Sequence, residues 1–547
     1  MATSSPFASK LGTNYSPTQH EVAQLHALLA EPTHRLQLLD AQIAQIQKTL
    51  DDAFVERERL AAYVDEYKAL LSPIRRVPED VLREIFVACL PTDRNCFMSA
   101  TEPPLLLGRV CSQWRHIAQT TPALWARLHF VDPSATAKAT TPCCWQRSEQ
   151  WLDAALSWLK RSGQRPLSIS LYGADKGLPL PDDEAAEKFV KRATYRFIQA
   201  LVPLSRRWEQ LQLVMPKANL SLLRPLRPAD VPLLKSLILV DDGINYNQFE
   251  DPNDWDEGCR LALLGGPQLE RFSVNSIGLL TRRLPLKWAN LLELRFDGTH
   301  LDGDEMLTVL SQCPRLVTGN FAIGIGETTF TTALEIPTLK HLTLRMAWST
   351  TSLAFLGMLY LPNLSSIALT TTSLNPELTF DAPAAACFFA SMQHSLERVA
   401  VFPDAFPDAS ISALLKALPP SVTTLELCPV EHPASVNTWG LWNPAAIRSP
   451  NSFDTVLSTL LPSSLESETQ ACPNLHTFKL ASAHTSGGAV VQLVRARRQR
   501  LKRVDVTFEH LVEVDVEVEL RELVQEGLAL SVKQPPPIRF FPRAGLE

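Results

Sequence analysis

Charged and polar residues recur at fixed offsets inside a repeated apolar pattern, and their chemistry suits non-covalent recognition. The pattern is Φ-x-x-Φ-x-Φ, with Φ apolar. Flanking its last two apolar positions are Arg271 and Asn275, then Glu293, Arg295 and Asp297, then His341, Thr343 and Arg345. Arg398 and Phe402 follow, then Glu426. Alternation along a strand sends the apolar pair to one side and these residues to the other. The second side is mixed in charge, with small residues between larger polar ones, which suits a protein or peptide better than a lipid or a polyanion.

Groups suited to bond-breaking chemistry do not converge in the sequence. There is no Gly-x-x-x-x-Gly-Lys phosphate loop, no Gly-x-Ser-x-Gly elbow and no His-Glu-x-x-His. Gly324-Ile325-Gly326 lacks the third glycine of a dinucleotide loop and reads as a connection between repeats. The 12 histidines are scattered, with His34, His116 and His394 in different parts of the chain. None of the 10 cysteines forms a Cys-x-x-Cys pair or has histidines at metal-ligand spacing. The expectation is a protein that is not an enzyme and uses no metal or cofactor. A weaker alternative is an enzyme whose site is assembled from scattered repeat residues.

The elements that must position the recognition residues are the repeats themselves. The pattern runs through Trp208-Leu211-Leu213, Leu234-Leu237-Leu239, Leu269-Phe272-Val274 and Leu291-Leu294-Phe296. It continues through Leu339-Leu342-Leu344, Leu364-Ile367-Leu369, Leu396-Val399-Val401 and Val422-Leu425-Leu427. Leu475-Phe478-Leu480 and Leu501-Val504-Val506 close it, and Leu316-Gly319-Phe321 is a degenerate member. From Leu269 to Val422 the spacing of first positions is 22 to 32 residues. A short strand and helix cannot bury their apolar sides alone, so units of this length must stack into a shared core. The array resembles the irregular leucine-rich repeats found behind F-boxes in many fungal proteins. An ordinary α/β domain with coincidental spacing is the competing reading.

Upstream, 72–130 reads as three short amphipathic helices. Val77, Val81, Leu82, Ile85, Phe86 and Leu90 stripe the first, with Pro78 at its start and Glu79 and Asp80 in its first turn. Leu107, Val110, Cys111, Trp114 and Ile117 stripe the second, and Leu124, Trp125 and Leu128 the third. So small a unit cannot hide every one of these side chains. The runs Val77-Pro78-x-x-Val81-Leu82-x-x-Ile85-Phe86, Val110-Cys111-x-x-Trp114-Arg115 and Leu124-Trp125 resemble an F-box. Two departures are Val77 where the family usually has Leu, and a longer loop at 91–104. The resemblance implies docking to a Skp-family adaptor, and through it a cullin. The residues it marks for that interface are Pro78, Leu82, Ile85, Phe86, Leu107, Val110, Trp114, Leu124 and Trp125. Packing of the module against the chain's own C-terminal part is the alternative.

A heptad seam precedes this module. Leu36, Ile43, Leu50, Val64 and Leu71 fall on one seven-residue series, with Arg57 in its gap. Leu39, Ile46, Ala53, Leu60 and Tyr67 form the series offset by three. The seam pairs either with a second copy, giving a homodimer through residues 36–71, or with elements of its own chain. Pro32 is expected to end an upstream helix, leaving 22–29 as a separate short one.

Composition bounds the rest. Apolar content of 45% supports a large core, and a net charge of −6 gives no general reason to expect nucleic acid or an anionic membrane. The cysteine usage fits a reducing compartment, so the expected location is cytoplasmic, nuclear or both. The adjacent Cys143-Cys144 reads as incidental. The opening residues lack the apolar run of a secretory signal, 346–376 is strand-like rather than a membrane helix, and the end carries no prenylation box. The basic run 494–503 reads as a solvated helix, or as a nuclear signal or phosphate patch; the acidic 509–522 that follows opposes a nucleic-acid field.

The expected fold class is therefore α/β: an N-terminal coiled-coil helix and a three-helix F-box module followed by an irregular leucine-rich-repeat solenoid. The expected divisions are a disordered 1–19, a heptad helix 20–72, the helical module 73–130, a linker and helix 131–165, repeats 166–533 and a tail 534–547. The combination implies a substrate-receptor subunit of a cullin–RING ubiquitin ligase, holding a protein substrate on the repeats. A non-ligase scaffold, dimerising by the heptads and binding a ligand on the repeats, is the alternative.

Overall fold

The computed structural model describes residues 5–132, 143–173, 194–215, 217–241, 261–275, 281–324, 333–346, 353–371, 382–402, 406–428, 453–462, 471–482, 485–508 and 511–534. The chain divides into two compact units, Met1–Glu84 and Ile85–Glu547.

The first unit is dominated by helix α1, Gln19–Leu70, 52 residues long. It starts at a capping box. Glu21 Oε2 accepts from both the Thr18 backbone N–H and the Thr18 hydroxyl, each at 2.8 Å. Pro32 lies inside α1 and does not end it, which corrects the expected break and the separate 22–29 helix. A helix-interior proline costs about 3 kcal/mol. Around Pro32 there is no glycine or turn residue to offer the chain another route, and Leu, Ala, Gln and Glu favour continuation on both sides. The segment 5–18, expected as disordered tail, carries a 3-10 turn at Ala8–Lys10 and a Lys10–Glu21 ion pair at 2.9 Å. Helix α2, Glu79–Ala88, begins after Pro78 and crosses from the first unit into the second.

The second unit is built on one parallel sheet. Its strands are β1 Arg127–Val131, β2 Leu167–Tyr172, β3 Trp208–Val214, β4 Ser236–Val240, β5 Arg271–Asn275 and β6 Glu293–Leu301. After β7 Thr318–Ile323 comes the small strand β8 Leu334–Glu335, then β9 His341–Met346, β10 Leu359–Tyr360 and β11 Ser366–Thr371. The last are β12 Arg398–Val401, β13 Thr424–Leu427, β14 Thr477–Ser482, β15 Arg503–Phe508 and β16 Ala529–Lys533. Fourteen strands lie side by side in sequence order, with β8 and β10 forming a separate two-stranded pair. Each strand pairs in parallel with the one that follows it in the sheet, and the backbone between them returns through turns and short helices. This is the strand order of a leucine-rich-repeat-like solenoid.

The repeat pattern maps onto this sheet directly. Leu237, Phe272, Leu294, Gly319, Leu342, Ile367, Val399, Leu425, Phe478 and Val504 stand in one register row. All but the glycine are buried hydrophobic residues of the core. Gly319 has a packing reason: a Cβ there would come within 2.6 Å of the Phe321 ring. Phe296 and Phe321 meet in the next row with their rings tilted at 56° and centroids 6.2 Å apart.

The sheet starts earlier than the sequence suggests. Only two of the three helices expected between 72 and 130 form. Leu107 sits in a 3-10 turn, Leu107–Arg109, and helix α3, Ser112–Thr120, starts after an extended Cys111 whose Sγ accepts from the Trp114 N–H. Leu124 and Trp125 close a 3-10 turn, Pro122–Trp125, and Leu128 belongs to β1. Leu128 and Phe130 point into the core at period two and are buried. β1 pairs with β2, so the sheet begins at Arg127 and not at 166. The helix Cys143–Arg161 packs on this end: the Trp158 ring meets Trp125 edge-on with centroids 4.8 Å apart. That helix is followed by Gly163 at φ +58.

Candidate functional site

Among the described residues, the positions marked by the sequence fall on two surfaces. The first is in the helical module. Along α2, Leu82 and Phe86 are buried, whereas Val81 and Ile85, one turn apart, are exposed. In the second unit, Leu106 and Val110 are exposed at the two ends of the 3-10 turn, Val110 most of all at 59%. Trp114 is half-buried, its ring tilted against Phe86 with centroids 4.8 Å apart. Arg115 ties α3 to that turn by donating from Nε to the Gly108 carbonyl at 2.8 Å. Trp125, fully inside, donates from Nε1 to the Ala118 carbonyl at 2.7 Å.

The nine residues marked by the F-box pattern therefore separate. Phe86, Leu107, Leu124 and Trp125 are buried in the second unit, and Leu82 is buried in the first. Pro78, Ile85 and Val110 are exposed, and Trp114 lies between the two classes. Leu106 and Val81 have the same exposed apolar character and were marked by spacing in only one case, Val81.

The long loop at 91–104 has a defined role. Arg127 donates to the carbonyls of Pro91 and Arg94, Asn95 Nδ2 donates to Ser170 Oγ at 3.1 Å, and the His129 N–H donates to the Cys96 carbonyl at 2.8 Å. Phe97 bridges to His129 alongside β1. The loop thereby occupies the outer edge of β1, which would otherwise present unpaired backbone groups. Cys96 is buried here, and burial pushes its thiol up; burial, with the Arg94 charge, pushes His129 down. Both groups are neutral packing residues.

The second surface is the solvent side of the sheet. Arg271 and Glu293 face each other in register, with Nε and Oε2 3.9 Å apart, and Arg295 holds the other oxygen of Glu293 at 2.7 Å. Asn275 is half-buried at the end of β5, and His341 is exposed in register with Thr318 and Ser366. Arg345 reaches across Ala322 to Asp297, bonding its carbonyl oxygen at 2.9 Å and Oδ1 at 3.3 Å. Both side chains are largely covered, and burial lowers the Arg345 pKa against the pull of Asp297. A slip in the β6–β7 register between Phe296 and His300 makes room for this pair.

Further along, Glu426 receives Arg398 at 2.7 Å and Lys479 at 2.8 Å. Burial opposes its ionisation, but the hydrogen bonds from Lys479 and Arg398 prevail and hold its carboxyl below the ordinary 4.5. Arg503 pairs with Asp505 at 2.8 Å. Lys479 and Asp505 were missed, although the repeat pattern places each of them between the two inward residues of its strand. Phe402 is a correction. It is buried, one residue past the end of β12, with its backbone N–H still donating to the Leu369 carbonyl at 3.0 Å.

The basic run 494–503 is also not simply a solvated helix. Arg497, just beyond the helix Gly487–Ala496, is buried and donates to the carbonyls of Leu460, Ala471 and Cys472. Burial pushes the Cys472 thiol up to about 12, so it is inert. An open groove of about 710 Å³ lies where β7, β9 and β11 begin, lined by Arg315, Lys340, Asn363 and Ser365 among others. No acid–base pair converges on it. Among the described residues, no group of three His, Cys, Asp or Glu is placed to hold a metal ion, and no helix is long and apolar enough to cross a membrane. Ile325 and Gly326, and the side chains of Cys143 and Cys144, lie outside what is described.

No protein-family model matches the chain, and no curated protein matches it. Among solved structures, a Bacteroides fragilis protein superposes with a TM-score of 0.29 at 14% identity, over 53% of this chain and 74% of its own. The leucine-rich repeat-containing protein LegL7 from Legionella pneumophila gives a TM-score of 0.32 at 14% identity, over 60% of this chain and 93% of its own. Such partial superpositions carry no argument; the repeat architecture rests on strand order and register.

Proposed function

We propose that this chain is a substrate receptor of a cullin–RING ubiquitin ligase. The module around α2 and α3 docks a Skp-family adaptor, and the solvent side of the sheet holds a protein whose lysines are modified elsewhere in the assembly. The supporting observation is the division of the F-box-like residues. Leu82, Phe86, Leu107, Leu124 and Trp125 complete the core, while Val81, Ile85, Leu106 and Val110 are large aliphatic side chains kept in water. Scattered exposed apolar residues are ordinary, but Ile85, Leu106 and Val110 on short segments of the second unit mark an interaction surface. The motif spacing gives that surface its proposed occupant.

On this reading the chain supplies positioning and effective concentration, with no covalent step of its own. The sheet side suits a protein substrate because its charges are paired in small clusters of both signs rather than pooled into one field.

The test is a binding titration of the full chain against a purified Skp-family adaptor. Wild type is compared with Ile85→Glu/Val110→Glu. Each substitution sits at an exposed position, so folding is retained, and loss of a well-packed interface anchor costs about 2 kcal/mol or more. Wild-type binding that falls at least tenfold in the folded double variant supports the proposal. Absence of wild-type binding leaves a repeat-based interaction scaffold without a ligase role.

A further inference from the structure

The long helix α1 is the largest feature not used by that reading. Its apolar residues are in water: Leu36, Leu39, Ile43, Ile46, Leu50, Leu60, Val64, Tyr67 and Leu71 are all exposed. Because α1 runs through Pro32, which itself falls on the second series, Val22 and Leu29 join the first heptad series and Leu25 the second, so the seam runs from 22 to 67 within α1 and to Leu71 at its C-cap. We propose that α1 pairs with the α1 of a second copy as a parallel, in-register, two-stranded coiled coil. The proposal is independent of the ligase reading.

Three observations select a second copy. First, a strict seven-residue repeat drifts about 20° per heptad around a straight helix, hence about 100° between Leu36 and Leu71. A flat surface cannot follow that line, whereas a partner helix supercoiling with it can. Second, the partner must be a helix of similar length, and the next longest helix among the described residues is the 19-residue Cys143–Arg161. A second copy supplies an identical seam.

Third, the flanking charges fit a parallel pair. With Leu36 at position a, Arg35 is at g and Asp40 at e, so g-to-e′ pairing across the dimer sets Arg35 against Asp40 twice. Gln42 likewise meets Gln47, and no like charges meet at any g–e′ position between Arg35 and Lys68. Arg57 occupies an a position, next to Glu56 at g. In a two-stranded parallel coil its guanidinium reaches the Glu56 of the other helix and stays partly in water; a trimer would bury it. A single polar a residue fixes register and oligomeric state in this way. An antiparallel arrangement pairing Leu36 with Tyr67 would instead set Arg57 against Ile46, with no carboxylate at g beside it.

The test is the solution mass of the full chain by light scattering at micromolar concentration, together with a cross-link. The expected mass is twice the 60.8 kDa of one chain, falling to one chain in Ile43→Asp/Leu50→Asp with the sheet still folded. For orientation, Leu39→Cys is placed in a background with Cys89, Cys111, Cys143, Cys144, Cys259, Cys387 and Cys428 changed to Ser, which leaves only the buried Cys96, Cys313 and Cys472, and treated with a short bismaleimide. A parallel in-register pair brings the two sulfurs within reach and gives a covalent dimer; an antiparallel pair leaves them tens of ångströms apart, at about 1.5 Å per residue. A single-chain mass for wild type, three or more chains, or a dimer without the Leu39→Cys cross-link overturns the proposal.

Discussion

Leucine, isoleucine and valine are set at regular intervals in both α1 and the sheet, yet they end in opposite environments. In the sheet, the inward rows from Leu237 to Val504 are almost completely shielded, each strand covered by its neighbours and by the returning segments. In α1 the seam from Leu36 to Leu71 stays in water. The difference lies in what the period can close upon. A period of two, repeated every 22 to 32 residues between Leu269 and Val422, makes copies of one strand that cover each other within a single chain. A period of seven makes a single stripe on one helix, and a stripe needs a second helix. The helical module shows both outcomes on one element, with Phe86 covered by its own chain and Ile85 left outside.

The contrast makes its largest prediction in the sheet. Phe296→Ala removes a buried ring that packs between Phe272 and Phe321, and should cost about 3–5 kcal/mol in urea unfolding. Ile43→Ala in α1 should leave the unfolding of the sheet unchanged. Equal losses from both would end the distinction.

Next is Arg497→Ala, which strands three buried carbonyls that this side chain now satisfies. With charge-assisted bonds worth about 1.5–3 kcal/mol each before compensation by water, a net loss of about 3 kcal/mol is expected in the same unfolding measurement. Arg498→Ala, in the same basic run but exposed, should lose almost nothing.

A smaller effect sharpens the comparison on the sheet's outer side. Glu426→Gln should lose about 1 kcal/mol at neutral pH, since Arg398 and Lys479 are themselves partly solvated. The folded-state pKa of Glu426 is depressed, so its contribution is complete above the ordinary 4.5 and disappears as pH falls through its lower folded value. Wild type and Glu426→Gln should therefore converge in thermal stability on acidification. A gap that widened would contradict the assigned direction.

The smallest effect belongs to the exposed residues of the module. Ile85→Glu/Val110→Glu should change stability by no more than about 0.5 kcal/mol, in contrast to Phe86→Ala, whose ring lies inside. A large loss would mean that these two residues are core.

Much of this was legible in the letters. The inward rows were plain because ten units repeat the same alternation, and a strand that buries one face must obey it. The seam of α1 was plain for the same kind of reason, although its continuity through Pro32 was not, since a single residue's penalty is outweighed by the residues around it. β1 was hidden because Leu128 and Phe130 follow a Pro-started, Trp-containing turn that continues a helical spacing, and their pairing strand comes some forty residues later. The Arg345–Asp297 pair was hidden by the register slip in β6, which no periodicity announces. Exposure within the F-box-like module was not legible either. Ile85 and Phe86 are neighbours of the same chemical class, and only the packing distinguishes them.

If the module's outward apolar residues dock a partner while the sheet's inward ones are core, adaptor binding protects the module alone. Hydrogen–deuterium exchange of the full chain, with and without a saturating Skp-family adaptor, tests it most directly. Added protection is expected only at 74–90 and 106–115, with exchange in β5 to β15 unchanged. No added protection in those two segments would contradict it, as would protection that appears on the sheet instead.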